Sequence, residues 1–341
     1  MSTRTTTTRR VLAATALASA TIVGLPSPGA RAADPVTGSV VVARVGAYHH
    51  ELGCSTSVAN ANEAKAVPPT GAAVDYQVNR TAMVADDSNG TSTTITQAAK
   101  ATASVGLASG QLAALDLAVS GGVTLDAPAH QLCGSHAWTS MDQNLEFTLS
   151  APRWLTLTTT ATKGTDVWAD LWSHDGDTQI GMYGDATGGT TTATYYLLPG
   201  RYDFESSVGW SATSLAGETG VKRYGSGSVR ARLFAPGSAY APASGPGGAY
   251  VAMGSQVSCT LGTLPVAFRS NAARVKQAIY YVDGRAVRTV RRPAAGQRVQ
   301  VPGMAGYARK RVTVRLVVDP PGSATTATVS VNRAYRPCKV R

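Results

Sequence analysis

Arg311-Val312-Thr313-Val314-Arg315-Leu316 carries an aliphatic side chain at every second residue. Successive side chains of a strand point to opposite faces, so Val312, Val314 and Leu316 share a buried face while Arg311 and Arg315 share a wet one. The same period of two extends outward from this stretch. Towards the N-terminus it predicts strands at 298–301, 286–290, 275–282, 266–269 and 256–261, and towards the C-terminus one at 325–331. Between two of them, Val282-Asp283-Gly284-Arg285 is a tight hairpin signal, because Asp-Gly supplies the positive φ values of a two-residue turn.

Further upstream, residues 235–249 lose the alternation and are rich in Pro, Gly and Ser, the composition of a linker. Beyond it the period of two returns, predicting strands at 40–48, 74–85, 93–105, 112–125, 145–149, 154–162, 167–172, 179–183, 191–198, 202–208 and 226–234. Turn signals separate them: Ser88-Asn89-Gly90, Gly121-Gly122, Asp175-Gly176-Asp177, Gly188-Gly189 and Pro199-Gly200. The run 98–103 is open to a helical turn as well as a strand. No stretch sustains a helical period over three turns, so the chain reads as all-β: a jelly-roll-like sandwich over 34–234, a linker over 235–249 and a second sandwich over 250–341.

Residues 251–341 contain Ile279-Tyr280-Tyr281-Val282-Asp283-Gly284-Arg285 and close on Arg333-Ala334-Tyr335-Arg336-Pro337-Cys338. With seven short strands, they resemble the immunoglobulin-like modules of actinobacterial secreted proteins. The resemblance implies a structural or adhesive spacer with no shared active site. Asp170-Leu171-Trp172-Ser173-His174-Asp175-Gly176 and Tyr196-Leu197-Leu198-Pro199-Gly200-Arg201-Tyr202-Asp203-Phe204 lie within a second region, about 143–234. That region is similar to bacterial pre-peptidase C-terminal domains, jelly-roll modules of secreted proteases, which implies a role in binding substrate or wall.

Residues 1–33 read as a secretory signal peptide: Arg4, Arg9 and Arg10, then an apolar stretch from Val11 to Leu25, then a small-x-small site at Ala30-Arg31-Ala32. No later stretch is apolar enough to cross a membrane as a helix. Export predicts that Cys54, Cys133, Cys259 and Cys338 are oxidised. Three pairings are open; because the linker falls between Cys133 and Cys259, one bridge per half is the economical choice. Each would close a loop worth roughly 3–5 kcal/mol. The last Cys lies almost at the chain end, so the second bridge is expected to staple the first strand to the tail.

The formal net charge of +11 is unevenly spread. Residues 249–341 hold sixteen basic against two acidic residues, a net +14; residues 33–248 hold eleven against eighteen, a net −7. A domain so basic attracts anionic polymers such as wall phosphates, acidic polysaccharide or lipid headgroups, and Arg309, Lys310, Arg311 and Arg315 are its candidate contacts. Nucleic acid is the poorer partner, since no interleaved exposed aromatics and no binding motif accompany the charge. Solubility, or docking on the acidic half, would use the same residues.

All five tryptophans precede the linker. In Val167-Trp168-Ala169-Asp170-Leu171-Trp172, alternation sets Trp168, Asp170 and Trp172 on one face. Two indoles flanking a carboxylate suit a sugar, whose C–H face stacks on rings while its hydroxyls donate to the acid; filling of a core is the competing reading. Asp175 and Asp177 form a carboxylate-bearing turn of the kind that holds calcium, against the plainer reading of a solvated Asp-Gly turn. If Cys54 pairs with Cys133, His49, His50, His130 and His136 are drawn together, a nitrogen set for copper or zinc.

No catalytic constellation stands out. Asp203 and Glu205 share a face beside Arg201, which reads as a salt-bridged exterior, and Gly225-Ser226-Gly227-Ser228 reads as a loop rather than a nucleophile elbow. No phosphate loop or dinucleotide fingerprint is present, so no organic cofactor is expected; of the ions considered, calcium is favoured over copper or zinc. The expectation is a secreted, non-catalytic binding or structural protein of the bacterial surface, taking a glycan or an anionic wall polymer. The rival is an extracellular polymer hydrolase with a dispersed site.

Overall fold

The computed structural model describes residues 36–49, 51–57, 61–176, 179–184, 187–322 and 325–340. The expected signal peptide, His50, Asp177 and Asp185 lie outside them. The chain is all-β, with two short 3₁₀ turns, Pro246–Ala249 and Ser270–Arg274, and no α-helix among the described residues.

Among the described residues, thirteen strands build the first half: β1 (Val36–His49), β2 (Cys54–Thr56), β3 (Ala61–Ala66), β4 (Val74–Asp86), β5 (Ser92–Ala108), β6 (Gln111–Asp126), β7 (Ser135–Leu149), β8 (Arg153–Ala161), β9 (Asp166–Ser173), β10 (Gln179–Tyr183), β11 (Gly189–Leu197), β12 (Gly200–Ser214) and β13 (Val221–Phe234). They form a six-stranded sheet, β10-β9-β12-β7-β1-β3, and a seven-stranded sheet, β11-β8-β13-β6-β5-β4-β2, antiparallel throughout. The inward residues of both sheets make one core, in which Val41, Ile95, Leu125, Met141, Leu157, Leu171 and Val208 are fully buried. Most of their outward neighbours are polar, the pattern of a sheet with one wet face.

Among the described residues, seven strands build the second half: β14 (Val251–Met253), β15 (Leu264–Phe268), β16 (Val275–Val282), β17 (Arg285–Arg291), β18 (Arg298–Val301), β19 (Lys310–Val318) and β20 (Ala327–Tyr335). The three-stranded sheet β14-β15-β18 and the four-stranded sheet β17-β16-β19-β20 enclose a separate core that includes Phe268, Tyr280, Leu316 and Tyr335. Val312, Val314 and Leu316 are buried, whereas Arg311 and Arg315 are exposed, as the alternation predicts. The β16–β17 hairpin turns on Asp283 and Gly284, both at positive φ (50° and 82°), with Val282 paired to Arg285. Burial pushes the Tyr280 and Tyr335 hydroxyls well above the usual phenol range.

Both disulfides join the expected partners, Cys54–Cys133 and Cys259–Cys338. The first ties an edge strand of the seven-stranded sheet to the segment that leads into β7 of the other. The second does not staple a first strand to the tail. Cys259 sits in a turn closed by reciprocal Ser258–Thr263 bonds with Gly262 at φ 62°, and 256–261 holds isolated bridges rather than a strand.

Several glycines read as turns or loops lie inside strands. Gly121 and Gly122 are in β6, where an added Cβ would stand 2.2 Å from Ala98 O and 2.1 Å from Arg223 O. Gly225 and Gly227 are in β13, facing Trp210 and the Val167–Val208 pair. Glycine serves there because neighbouring chains come too close for any side chain. Residues 98–103 are strand, held by ladders on both sides.

The segment 235–249 runs along β20. Tyr240 donates to Ala334 O, Ser244 and Asn332 exchange both backbone bonds, and a Cβ on Gly245 would lie 2.4 Å from Ser330 O. Arg336 then plugs the region between the two cores: its guanidinium lies 3.4 Å from the Phe234 ring centre and 4.5 Å from that of Tyr240, and it donates to Ala239 O. Burial lowers its pKa. Trp154 Nε1 donates to Pro337 O across the same region.

Candidate functional site

The outer face of the six-stranded sheet gathers most of the chemistry. On β9, Val167, Ala169 and Leu171 are in the core (3%, 0% and 1% exposed), so Trp168, Asp170 and Trp172 take the other side, half-buried. Register places Trp172 beside Asp203, Asp170 beside Glu205 and Trp168 beside Ser207 on β12. The next strand, β7, sets Glu146 beside Asp203, Asn144 beside Glu205 and Asp142 beside Ser207. Each pair lies within side-chain reach across the ladder.

Two grooves run over this face. One, of about 280 Å³, is lined by Trp138, Trp168, Asp142, Asp166, Arg44 and Ser207, among others. The second, of about 350 Å³, is lined by Trp172, Asp203, Glu205, Glu146, Asn144 and Gly38 with two core residues. Beyond the first, Tyr48, His136 and Trp138 pack as an aromatic trio with ring centres 4.8–6.2 Å apart.

The charges are partly paired. Arg201 forks onto both oxygens of Glu146 at 2.5 Å and holds that carboxyl below the usual range through its hydrogen bonds. His174 Nε2 is 2.8 Å from Asp203 Oδ2. Arg44 reaches Asp142 Oδ2 at 2.7 Å and Glu205 Oε1 at 3.5 Å. Asp142 is 2% exposed; burial pushes its carboxyl up, with the Ser207 and Ser140 hydroxyls and Arg44 pulling the other way. No hydroxyl comes into hydrogen-bonding geometry with its Oδ1. Burial also raises Asp170 and Glu205, the latter opposed by Arg44. Asp170 Oδ1 is buried without a partner, in room that Gly181 leaves: a Cβ there would be 2.8 Å away.

Glu146, His174 and Asp203 offer one ligand atom each within 4.8 Å, the only such group of three among the described residues. With the Arg201 fork occupying Glu146 and His174 bonded to Asp203, the arrangement is an ion-pair network. Asp175 Oδ2 accepts the Arg201 backbone N–H at 3.0 Å, a turn-closing role. Among the described residues, His49, His130 and His136 belong to no metal-ligand group of three; His49 bonds Thr56 and His136 bonds Thr213, each through Nδ1.

In the second half, Arg309, Arg311 and Arg315 are exposed, Arg309 over the Tyr240 ring and Arg315 over that of Tyr281. Lys310 is tied to Asp283 at 2.9 Å. The edge strand β17 adds exposed Arg285, Arg288 and Arg291, with Arg292 just beyond. These arginines also guard an open sheet edge against pairing with other chains. Sequence reasoning passed over them, and over Trp138, Asp142 and Arg44. The alternation His136, Trp138, Ser140, Asp142, Asn144, Glu146 was the signal for the β7 row.

No protein-family model and no curated protein matches this chain. Among solved structures, the adhesin domain of Epf from Streptococcus pyogenes aligns with 76% of this chain and 90% of its own at 7% identity and a TM-score of 0.18. A score that low carries no argument about fold or function.

Proposed function

We propose that this chain is a secreted, non-catalytic binding protein of the bacterial surface that takes a glycan on the outer face of its six-stranded sheet. One observation carries the reading: Trp168 and Trp172 flank Asp170 on the solvent side of β9 while the aliphatic residues between them fill the core. Indoles stack on the C–H faces of sugars, and carboxylates accept their hydroxyls. The basic half would add attraction to anionic wall polymer through Arg309, Arg311, Arg315 and the β17 arginines. Two disulfides suit an oxidising compartment.

A second reading, hydrolysis of the bound glycan, is favoured by the raised carboxyls of Asp142, Asp170 and Glu205 on one face, since a general acid needs such a shift. A panel of soluble glycans and wall polymers, with and without calcium, separates the two. Binding without release of reducing ends supports the first; release abolished by Glu205→Gln supports the second. No binding to any member refutes the glycan reading.

A further inference from the structure

We infer that the glycan recognised by the six-stranded sheet carries free amino groups, as a deacetylated amino-sugar oligomer does. The inference rests on the glycan reading and narrows it.

Charge comes first. Among the described residues, the face presents Asp142, Glu146, Asp166, Asp170, Asp203 and Glu205 against two guanidiniums, Arg44 and Arg201, and the imidazole of His174, which is bonded to Asp203. Arg201 is committed to Glu146, and Arg44 is shared between Asp142 and Glu205. Asp166 and Asp170 have no ion-pair partner among the described residues. An anionic polymer would meet repulsion here, and the basic half is the place for one.

The second observation is the set of unused acceptors. Asp142 is 2% exposed, lines the groove between Trp138 and Trp168, and has Oδ2 held by Arg44 but Oδ1 without a hydrogen bond; Asp170 Oδ1, set against Gly181 beside the grooves, is likewise buried and unpaired. A buried carboxylate oxygen left without a donor is costly, and an ammonium brings three donors and a positive charge. An N-acetyl group would set a carbonyl oxygen against these acceptors and offer a single N–H. The site therefore discriminates by leaving the acetylated form badly paired.

The third is the spacing of the rings. Trp168 and Trp172, four residues apart on one strand, stand about 13 Å apart along β9. That exceeds one pyranose ring, so the occupant is an oligomer. Each indole also attracts a cation over its face.

The test is isothermal titration of the full chain with tetramers of glucosamine, N-acetylglucosamine and glucose, and with spermine as a cation without rings. The inference predicts that the glucosamine tetramer binds at least tenfold tighter than the other three at about pH 5.5, and that the preference shrinks towards pH 8.5 as its amines lose their protons. Asp170→Asn should erode the preference. Trp168→Ala should weaken binding tenfold or more; Trp168→Phe, which keeps a ring and the fold, should retain most of it. Equal binding of acetylated and free tetramers overturns the inference and leaves the glycan reading standing. Spermine binding as tightly as the glucosamine tetramer also overturns it, by showing that charge suffices. Binding of no sugar at all removes both.

Discussion

Replacing Gly227 by alanine introduces one methyl group between the two sheets of the first sandwich. The new Cβ would lie 2.6 Å from Val167 Cγ2, 2.8 Å from Val208 Cγ1 and 3.2 Å from Thr160 O. Carbon atoms pack best at about 3.5–4.0 Å, so β13 and the β9–β12 pair must part by about 1 Å, or both valines must leave their rotamers. Overpacking of this kind costs about 1–3 kcal/mol. Against it, alanine restricts the unfolded chain and returns about 0.4–1 kcal/mol, since Gly227 is not at positive φ. The loss wins, by about 1–2 kcal/mol. Intrinsic fluorescence is the right assay, because all five tryptophans lie in this half; Trp138, Trp168, Trp172 and Trp210 report its urea unfolding, and Trp154 also touches Pro337 of the second half. Gly176→Ala, with open space around its Cβ, is the control and should leave the midpoint in place. If Gly227→Ala matched the wild-type midpoint, the close approach of the two sheets at this point would be refuted. A secondary effect follows from Val167 being next to Trp168: the variant should also weaken ligand binding.

Removing the second bridge with Cys259→Ala and Cys338→Ala frees a loop of 79-residue separation, and chain entropy sets the loss at about 4–5 kcal/mol; calorimetry should show the second half melting first, and an unchanged transition would contradict it. Asp170→Asn should stabilise the fold at neutral pH. Burial raises the folded pKa of Asp170 above its unfolded value, so its contribution is most favourable at acid pH and is lost as pH rises through the folded pKa; the variant's advantage should therefore vanish below about pH 4, and an advantage independent of pH would sink the argument. Arg336→Ala should lower stability by about 2–3 kcal/mol through lost ring stacking and hydrogen bonding, while Arg336→Met, which fills the space without a buried charge, should cost less; the reverse order in thermal melts would be inconsistent with a buried guanidinium wedge.

Strand existence was legible because a period of two survives wherever one face is buried, as in β9, β16 and β19. The short edges β2, β3 and β14 were not, since three to six residues with mixed exposure carry little periodicity. The glycines of β6 and β13 misled for a definite reason: Gly marks a turn and a close backbone approach alike, and only the neighbouring strand tells which. The composition of 235–249 is that of a linker, yet two of its glycines, Gly245 and Gly247, serve close contact with Ser330 of β20. At the candidate site, sequence placed Trp168, Asp170 and Trp172 correctly on one face. It could not join them to Asp142, Glu146 or Trp138, because strand order β9-β12-β7 is a long-range fact. The calcium pair was read from local spacing alone; Asp175 Oδ2 accepts the Arg201 backbone N–H, and Asp177 lies outside the described residues.

The most direct measurement is a titration of the chain, ¹⁵N-labelled at tryptophan, with a glucosamine tetramer, following the five indole N–H signals after assignment by single Trp→Phe variants. Trp138, Trp168 and Trp172 line the outer grooves; Trp210 borders the first groove too, but it is 2% exposed and its Nε1 donates to Thr165 inside the core, and Trp154 Nε1 donates to Pro337 across the two halves. The account predicts that the signals of Trp138, Trp168 and Trp172 move and those of Trp154 and Trp210 stay. Movement confined to Trp154 or Trp210, or no movement at saturating sugar, would contradict it.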